Sequence, residues 1–168
     1  RRFHYPAHQT RRQGNDVGSY ILTGMKLKLD IEGLTEDFFE DTRLFGVMVA
    51  ARSYRFCWLL NNTLGYDFRL NTDVEVHVLK RGRHYFFPVY QHIVQGTQQV
   101  HYIYQNQYDG EYLLPEFRHM DFLWLVKGEL LSDEQSTELV HAVKSINGVQ
   151  LVAELTNEQI RNKGNLVF

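Results

Sequence analysis

The stretch LPEFRHMDF, residues 114–122, divides the chain into two parts with different patterns. The sequence before it is mostly strand-like, and the sequence after it has the pattern strand, helix, strand. The stretch also contains four ionisable side chains of the types that are common in active sites: Glu116, Arg118, His119 and Asp121. We therefore interpret it as the joint of the fold and as the first place to look for a functional site.

The composition predicts one ordinary globular domain. Of the 168 residues, 43% are hydrophobic, 23% charged and 14% aromatic, and the aromatic share favours strands. No window approaches ~18 consecutive apolar residues, so no membrane span is expected. The single cysteine, Cys57, excludes an intramolecular disulfide and suits a reducing compartment. Its apolar neighbours predict a buried, unreactive thiol.

The first 24 residues differ from the rest, with four arginines against one aspartate and no clear apolar period. Met25 then opens an alternating segment, residues 26–31, typical of a half-buried strand. We interpret residues 1–24 as a disordered arm or as sequence upstream of a start at Met25, with a functional basic arm as the alternative. Residues 25–168 are then one domain. Without the arm, the 18 basic and 20 acidic side chains become 14 and 19, and a net charge of −5 argues against general affinity for nucleic acid.

The next residues predict a first strand-helix-strand unit. The apolar run 44–49 is typical of a buried strand. Ser53 is the expected N-cap of a helix over residues 54–64, which Gly65 is expected to end. Apolar side chains around most of this helix predict that it is well buried, and residues 66–70 are predicted to continue as a strand.

The middle of the chain predicts an antiparallel meander. Alternating valines and a turn at residues 80–83 lead into a long predicted strand over residues 84–95. Pro88 lies inside that strand and cannot donate a ladder hydrogen bond, so we expect a sheet edge or a bulge there. A two-residue turn, Gly96-Thr97, is expected to return the chain.

The residues after the joint predict a second strand-helix-strand unit. An apolar run at residues 122–126 suits a central strand, and residues 149–155 are expected to return as another. Between them, Ser132 and Gln135 form the capping-box pattern of a helix start. Two such units around a meander predict the α+β class, arranged as a ferredoxin-like sandwich with an inserted hairpin.

The sequence contains no familiar motif for a cofactor or for nucleophilic catalysis. It has no glycine-rich phosphate loop, no Gly-x-Ser-x-Gly elbow and no zinc-like spacing of cysteine and histidine, so we expect no cofactor. His77, His92 and His101 fall on strands of the meander, where two of them could meet at a metal ion. We favour cross-strand packing against tyrosine and glutamate instead.

Glu116, His119 and Asp121 support a carboxylate-based acid–base site as one hypothesis. Positions 116 and 121 point to opposite faces of an extended strand, so only a turn at Arg118-His119 would reunite them. We favour a structural interpretation. In it, Pro115 fixes the backbone and Glu116 accepts backbone N–H groups from a neighbouring loop. Asp121 then pairs with Arg118 or caps a turn.

Four aromatic residues of the meander, Tyr85, Phe87, Tyr102 and Tyr104, are predicted to share one sheet face. Such a platform can stack the unpaired bases of single-stranded RNA, and the basic turn at residues 80–83 flanks it. The acidic domain and the lack of an aromatic-glycine recognition strand count against this hypothesis.

Protein association is the function that we favour from the residues. Three features predict apolar or unpaired surface that a partner would bury: a long edge strand, the apolar C-terminal residues 166–168, and a helix that is apolar on most sides. A homodimer or a partner protein would bury it. The sequence thus favours a binding protein over an enzyme and identifies no ligand or reaction.

Residues 114–122 also resemble the signature of the bacterial IPExxxVDY family, with Leu114, Met120 and Phe122 in place of Ile, Val and Tyr. The likeness covers about residues 25–168. Further similar stretches are SxxxCWLLN at 53–61, SIxGVQ at 145–150 and KxNLVF at 163–168.

The resemblance implies a small cytoplasmic protein with no assigned activity and no catalytic residues to carry over. Genes of the family lie near those for fatty-acid synthesis and ribonuclease III, which implies acyl carrier protein or RNA as partners. Phe122 lacks the hydroxyl of tyrosine, so any role of that hydroxyl cannot apply to this chain.

Overall fold

The computed structural model describes residues 32–168 and confirms the predicted α+β class. Residues 35–168 form one compact unit, which contains the sheet. The predicted arm and the predicted strand at residues 26–31 lie outside the described residues. The helices are α1 (32–39), α2 (Ser53–Leu64) and α3 (Asp133–Lys144). The strands are β1 (Thr42–Val49), β2 (Arg69–Leu70), β3 (Val76–Lys80), β4 (Arg83–Phe87), β5 (Val89–Ile93), β6 (Val100–Gln105), β7 (Gln107–Tyr108), β8 (Glu111–Tyr112), β9 (Phe122–Lys127) and β10 (Val149–Leu155).

A six-stranded antiparallel sheet in the order β10-β1-β9-β6-β5-β2 forms the centre of this unit. The chain runs from β1 through α2 to β6, and β9 lies between these two strands in the sheet. It then runs from β9 through α3 to β10, and β1 lies between those two. This split arrangement of β10-β1-β9-β6 is that of a ferredoxin-like sandwich. The predicted strand over residues 66–70 shortens to β2, which pairs only with β5 at the far edge. The strand that completes the first strand-helix-strand unit is therefore β6. The residues inserted between α2 and β6 form β2, β5 and the β3–β4 hairpin.

The central strand β9 is buried on both faces because a layer covers each side of the sheet. Phe122 and Trp124 pack with residues of α2 and α3. Leu123 and Leu125 pack on the opposite side with residues 113–120, the β3–β4 hairpin and the C-terminal residues. The apolar run that predicted a central strand is confirmed.

The two long helices begin differently. In α3, Ser132 Oγ accepts the Gln135 N–H (3.1 Å) and Gln135 Oε1 accepts the Ser132 N–H (2.9 Å), so the predicted capping box is confirmed. In α2 the predicted Ser53 N-cap is wrong, because Arg52 occupies the cap position without a side-chain bond. The Ser53 hydroxyl lies instead 3.2 Å from the Tyr90 hydroxyl on β5.

Helix α2 is buried on one side only. Phe56, Cys57 and Leu60 face the sheet, whereas Trp58 is 53% exposed. The expectation of burial around most of the helix is therefore wrong. Gly65 ends the helix at φ +76°, as predicted. Within residues 32–168, no helix is long and apolar enough to cross a membrane.

Pro88 divides the predicted long strand over residues 84–95 into two. β4 ends before the proline and pairs with β3 in a separate two-stranded hairpin, and β5 begins after it in the main sheet. Because proline cannot donate a ladder bond, it marks the point where the chain leaves one sheet for the other. The expected two-residue turn at Gly96-Thr97 is instead part of a longer loop between Ile93 and Val100.

Candidate functional site

The predicted joint is an irregular segment on the sheet face opposite α2 and α3, and a buried asparagine holds it. Asn106 follows β6 and is 0% exposed. Nothing in the flanking sequence marks it as buried, and sequence reasoning missed it. The backbone N–H of Asn106 donates to the Asp121 carbonyl (3.0 Å), and its backbone carbonyl accepts the Leu113 N–H (2.7 Å). In the side chain, Oδ1 accepts the Leu114 N–H (2.8 Å) and Nδ2 donates to the Phe117 and Met120 carbonyls (both 2.9 Å).

Glu116 fastens the C-terminal residues to the joint. Pro115 begins a single 3-10 turn, Pro115–Phe117, which turns Glu116 toward them. Glu116 Oε1 accepts the N–H groups of Arg161 and Asn162, and Oε2 accepts Asn162 Nδ2, all at 2.8 Å. Partial burial opposes ionisation of Glu116, but these donors outweigh it and lower the pKa of the carboxyl. The predicted structural role of Glu116 is confirmed.

The other ionisable side chains of the joint do not share partners with Glu116 or with one another. Of the two predicted roles of Asp121, pairing with Arg118 or capping a turn, the pairing is wrong. Asp121 Oδ2 instead accepts the N–H of Val49, the last residue of β1, at 2.8 Å. Arg118 lies over the Tyr112 ring, 5.9 Å from its centroid, and His119 is exposed. The cavity that Asp121 lines includes neither Glu116 nor His119. The structure therefore does not bring the three predicted acid–base groups together.

The four predicted platform aromatics do share one side of the fold, but that side is covered. Phe87 and Tyr104 are buried in the layer opposite α2 and α3, and Tyr85 and Tyr102 are half-buried against it. The Tyr104 hydroxyl donates to the Leu166 carbonyl at 3.0 Å. Because Phe87 and Tyr104 are enclosed, the four rings do not form one exposed platform on which bases could stack.

The meander histidines separate into two places. His92 and His101 are cross-strand partners, with ring centroids 5.7 Å apart, whereas His77 lies on the β3–β4 hairpin. His101 Nδ1 accepts the Trp124 indole N–H at 3.0 Å, and His92 Nδ1 accepts the Asp67 N–H at 3.0 Å. Burial lowers the pKa of His101 to about 4, helped by His92, and burial also lowers the pKa of His92. In the described part of the chain, no group of three or more metal-binding side chains is present.

Cys57 is buried in the core beneath α2, as predicted. Burial raises the pKa of the thiol to about 12, so the thiolate form is scarce at neutral pH. The prediction of an unreactive thiol therefore has a physical basis.

An exposed surface occurs on the outer side of the β3–β4 hairpin. It consists of His77, Leu79, His84 and Phe86, which we call the hairpin face. His77 is opposite Phe86 and Leu79 is opposite His84. Leu79 is 60% exposed and Phe86 49% exposed, and the three rings lie 5.0 to 6.2 Å apart between centroids. Because strand side chains alternate, packing Tyr85 and its neighbours against the inner side leaves this set in solvent.

Charge is distributed unevenly along the hairpin. At the base, the Glu75 carboxylate lies 3.7 Å from His77 Nδ1. At the tip, Arg81 and Gly82 have φ of +52° and +77° and form a two-residue turn between the paired residues Lys80 and Arg83. Lys80 and Arg83 pair with the acidic side chains of the β7–β8 hairpin. Arg81 forms no ion pair or hydrogen bond with any residue in the range 32–168, so it leaves a free positive charge at the tip.

The fold and the hairpin face define the class of this protein as an α+β domain with an exposed hairpin inserted in a ferredoxin-like sheet. No protein-family model and no curated protein matches the chain, so the resemblance to the IPExxxVDY family stays a prediction.

Proposed function

We propose that this protein acts by binding protein, and that its partner is a second copy of itself on the hairpin face. The observation that carries the proposal is the adjacent exposure of Leu79 and Phe86 on a hairpin whose other side is already packed. Exposed apolar side chains that lie together mark interaction surfaces more often than isolated ones do. The buried thiol of Cys57 and the single cysteine support a cytoplasmic location.

The charges of the hairpin favour a second copy over an unrelated partner. In a two-fold arrangement of antiparallel hairpins, Leu79 of each copy contacts Phe86 of the other, because a two-fold interface uses the same patch twice. The basic tip at Arg81 then lies over the acidic base at Glu75 of the other copy. Both the apolar and the charged parts of the surface are thus self-complementary.

The backbone at the tip supports a role for Arg81. A two-residue turn of this type favours Asn-Gly, and a long side chain in the left-handed region costs about 1 kcal/mol. Arg81 therefore occupies a position where asparagine would stabilise the fold better. A charge kept at a conformational cost is expected where the charge has a function.

The hairpin face consists of four residues, against roughly 20 to 30 per partner in a standard interface, so we expect weak association, with Kd on the order of 0.1 mM. Sedimentation equilibrium over a concentration series measures it. Leu79→Ser is expected to weaken dimer formation at least about tenfold, because it removes the apolar contact twice in a symmetric interface. Ile93→Ser is the matched control, since Ile93 is 52% exposed on β5 and outside the hairpin face.

A charge-reversal cycle tests the two-fold arrangement. Glu75→Lys and Arg81→Glu are each expected to weaken association, and the double variant is expected to restore it, because the reversed charges meet again across the interface. A single species of monomer mass up to about 1 mM protein would overturn the proposal. If that monomer bound a single-stranded RNA oligonucleotide with a steep salt dependence that Phe86→Ser removed, the hairpin face would be an RNA site instead.

A further inference from the structure

A cavity of about 420 Å³ opens on the helix-covered side of the sheet, away from the hairpin face. It lies between the C-terminal end of α2, one side of α3 and the start of β6. Leu64, Leu131 and Leu139 line its apolar walls, and His92 and His101 belong to its lining on the sheet side. Its volume is within the range of small-molecule sites, roughly 300 to 1,000 Å³.

Three electrostatic features of the cavity have the same sign. Glu138 on α3 is the only formally charged side chain among its lining residues, and no described residue forms an ion pair with it. The C-terminal end of α2, at Leu64 and Gly65, also lines the cavity, and the last turn of that helix contains no basic residue. A helix C-terminus carries a partial negative charge from its free carbonyl groups.

The aromatic rings of the lining supply the third feature. Tyr66 meets His92 edge to face with centroids 5.1 Å apart, and its ring lies 5.5 Å from that of His101. Burial raises the pKa of Tyr66 to about 12 and lowers the pKa of both histidines, so at neutral pH these rings add no positive charge. The negative face of an uncharged ring attracts a cation.

We propose that this cavity binds an organic ammonium group, with Glu138 as counter-ion and the Tyr66 and His92 rings as its aromatic wall. An alkylammonium ion suits the site better than a metal ion, because its carbon atoms match the apolar walls while its charge meets one carboxylate. The same chemistry is present in free quaternary ammonium compounds and in lysine side chains. The proposal is independent of association through the hairpin face.

Choline is the first probe, and its uncharged carbon isostere, dimethylbutanol, is the matched control ligand. Binding is followed by the imidazole C–H resonances of His92 and His101 in NMR titrations of the full chain. We expect choline to bind at least about tenfold more tightly than the isostere, because only the charge differs. Nα-acetyl-lysine amide distinguishes the source, since tighter binding of this probe than of choline indicates a lysine side chain.

Two variants of α3 complete the test. Glu138→Gln keeps the shape of the side chain and removes its charge, and we expect about tenfold weaker choline binding. Glu134→Gln removes an acid of the same helix that does not line the cavity, and we expect unchanged binding. Equal affinity for choline and its isostere, no binding of any of the three probes, or equal effects of the two variants would overturn the proposal.

Discussion

Replacing Asn106 by alanine is expected to destabilise the protein more than any exposed substitution, because one side chain satisfies three buried backbone groups. Leu114 N–H has only Asn106 Oδ1 as a hydrogen-bond partner among the described residues, and Leu114 itself is 0% exposed. The Met120 carbonyl loses its bond from Nδ2 as well. The Phe117 carbonyl loses one bond but still accepts the Met120 N–H at 2.9 Å.

The expected magnitude follows from these three groups. A buried donor left without a partner costs about 1 to 3 kcal/mol, and the two carbonyl groups add about 1 kcal/mol each, for a loss on the order of 4 kcal/mol. That is a large part of the roughly 5 to 15 kcal/mol that stabilises a domain of this size. Urea unfolding followed by tryptophan fluorescence measures it, because Trp124 is buried in the core.

Two further variants separate hydrogen bonding from volume. Asn106→Asp keeps the size and the Oδ1 acceptor but puts a carboxylate against two carbonyl oxygens, so we expect it to be at least as destabilising as alanine at pH 7. Burial and this repulsion raise the folded pKa of the new acid, so the variant should regain stability as pH falls toward the unfolded pKa. Asn147→Ala, at an exposed position, should change stability by less than about 0.5 kcal/mol. The reasoning is refuted if Asn106→Ala lies within 1 kcal/mol of the parent chain, about the net value of one hydrogen bond.

Three other predictions follow from single contacts. Glu116→Gln should cost roughly 1 to 2 kcal/mol after solvent screening, because its amide nitrogen then faces another donor. Because folding lowers the pKa of Glu116, its carboxylate contributes to stability above the unfolded pKa near 4.3, and this contribution is lost as pH falls through the folded pKa. The unfolding midpoint of Glu116→Gln should therefore depend less on acid pH than that of the parent chain. In the folded protein His101 has a pKa of about 4, so at pH 5 only the unfolded chain protonates it, and stability should fall by roughly 2 kcal/mol between pH 7 and pH 5. If His101→Gln loses the same amount of stability over this range, groups other than His101 cause the loss. Gly128 has φ +90° and its Cβ position overlaps the Gln98 carbonyl oxygen, which is backbone, so Gly128→Ala should lower the thermal midpoint by several degrees, and an unchanged midpoint would contradict this contact.

The parts of the fold that sequence predicts well are those decided by neighbouring residues. The run at 122–126 is apolar throughout, a pattern that suits a strand covered on both faces, and the structure places it inside the sheet between β1 and β6. The pair Ser132 and Gln135 forms its capping box within four residues. Glu116 follows the same logic, because a proline beside it fixes the turn that aims its carboxylate at another loop.

The parts that sequence could not predict depend on distant residues. Asn106 lies in an unremarkable run, and its burial is decided by the segment that folds back over it. The alternation of β4 correctly groups Tyr85 with Phe87, but alternation alone does not say which side is covered. The sequence pattern therefore predicts an aromatic platform on the side that the fold covers. The ferredoxin-like order was predicted, but which strand follows α2 depends on the pairing of β2 with β5 at the edge.

The joint and the hairpin differ in how their polar groups are used, and this difference decides where function should be sought. Glu116 and Asp121 of the joint, and Asn106, which holds the joint, all bond to backbone groups of their own chain, which leaves few of their acceptors or donors for a ligand. On the hairpin, the charge of Arg81 has no internal partner in the described residues and its backbone is in an unfavourable region. A position that departs from the most stable choice without an internal gain is expected at a functional surface. The stretch that organises the fold is therefore structural, and the inserted hairpin is the better candidate for function.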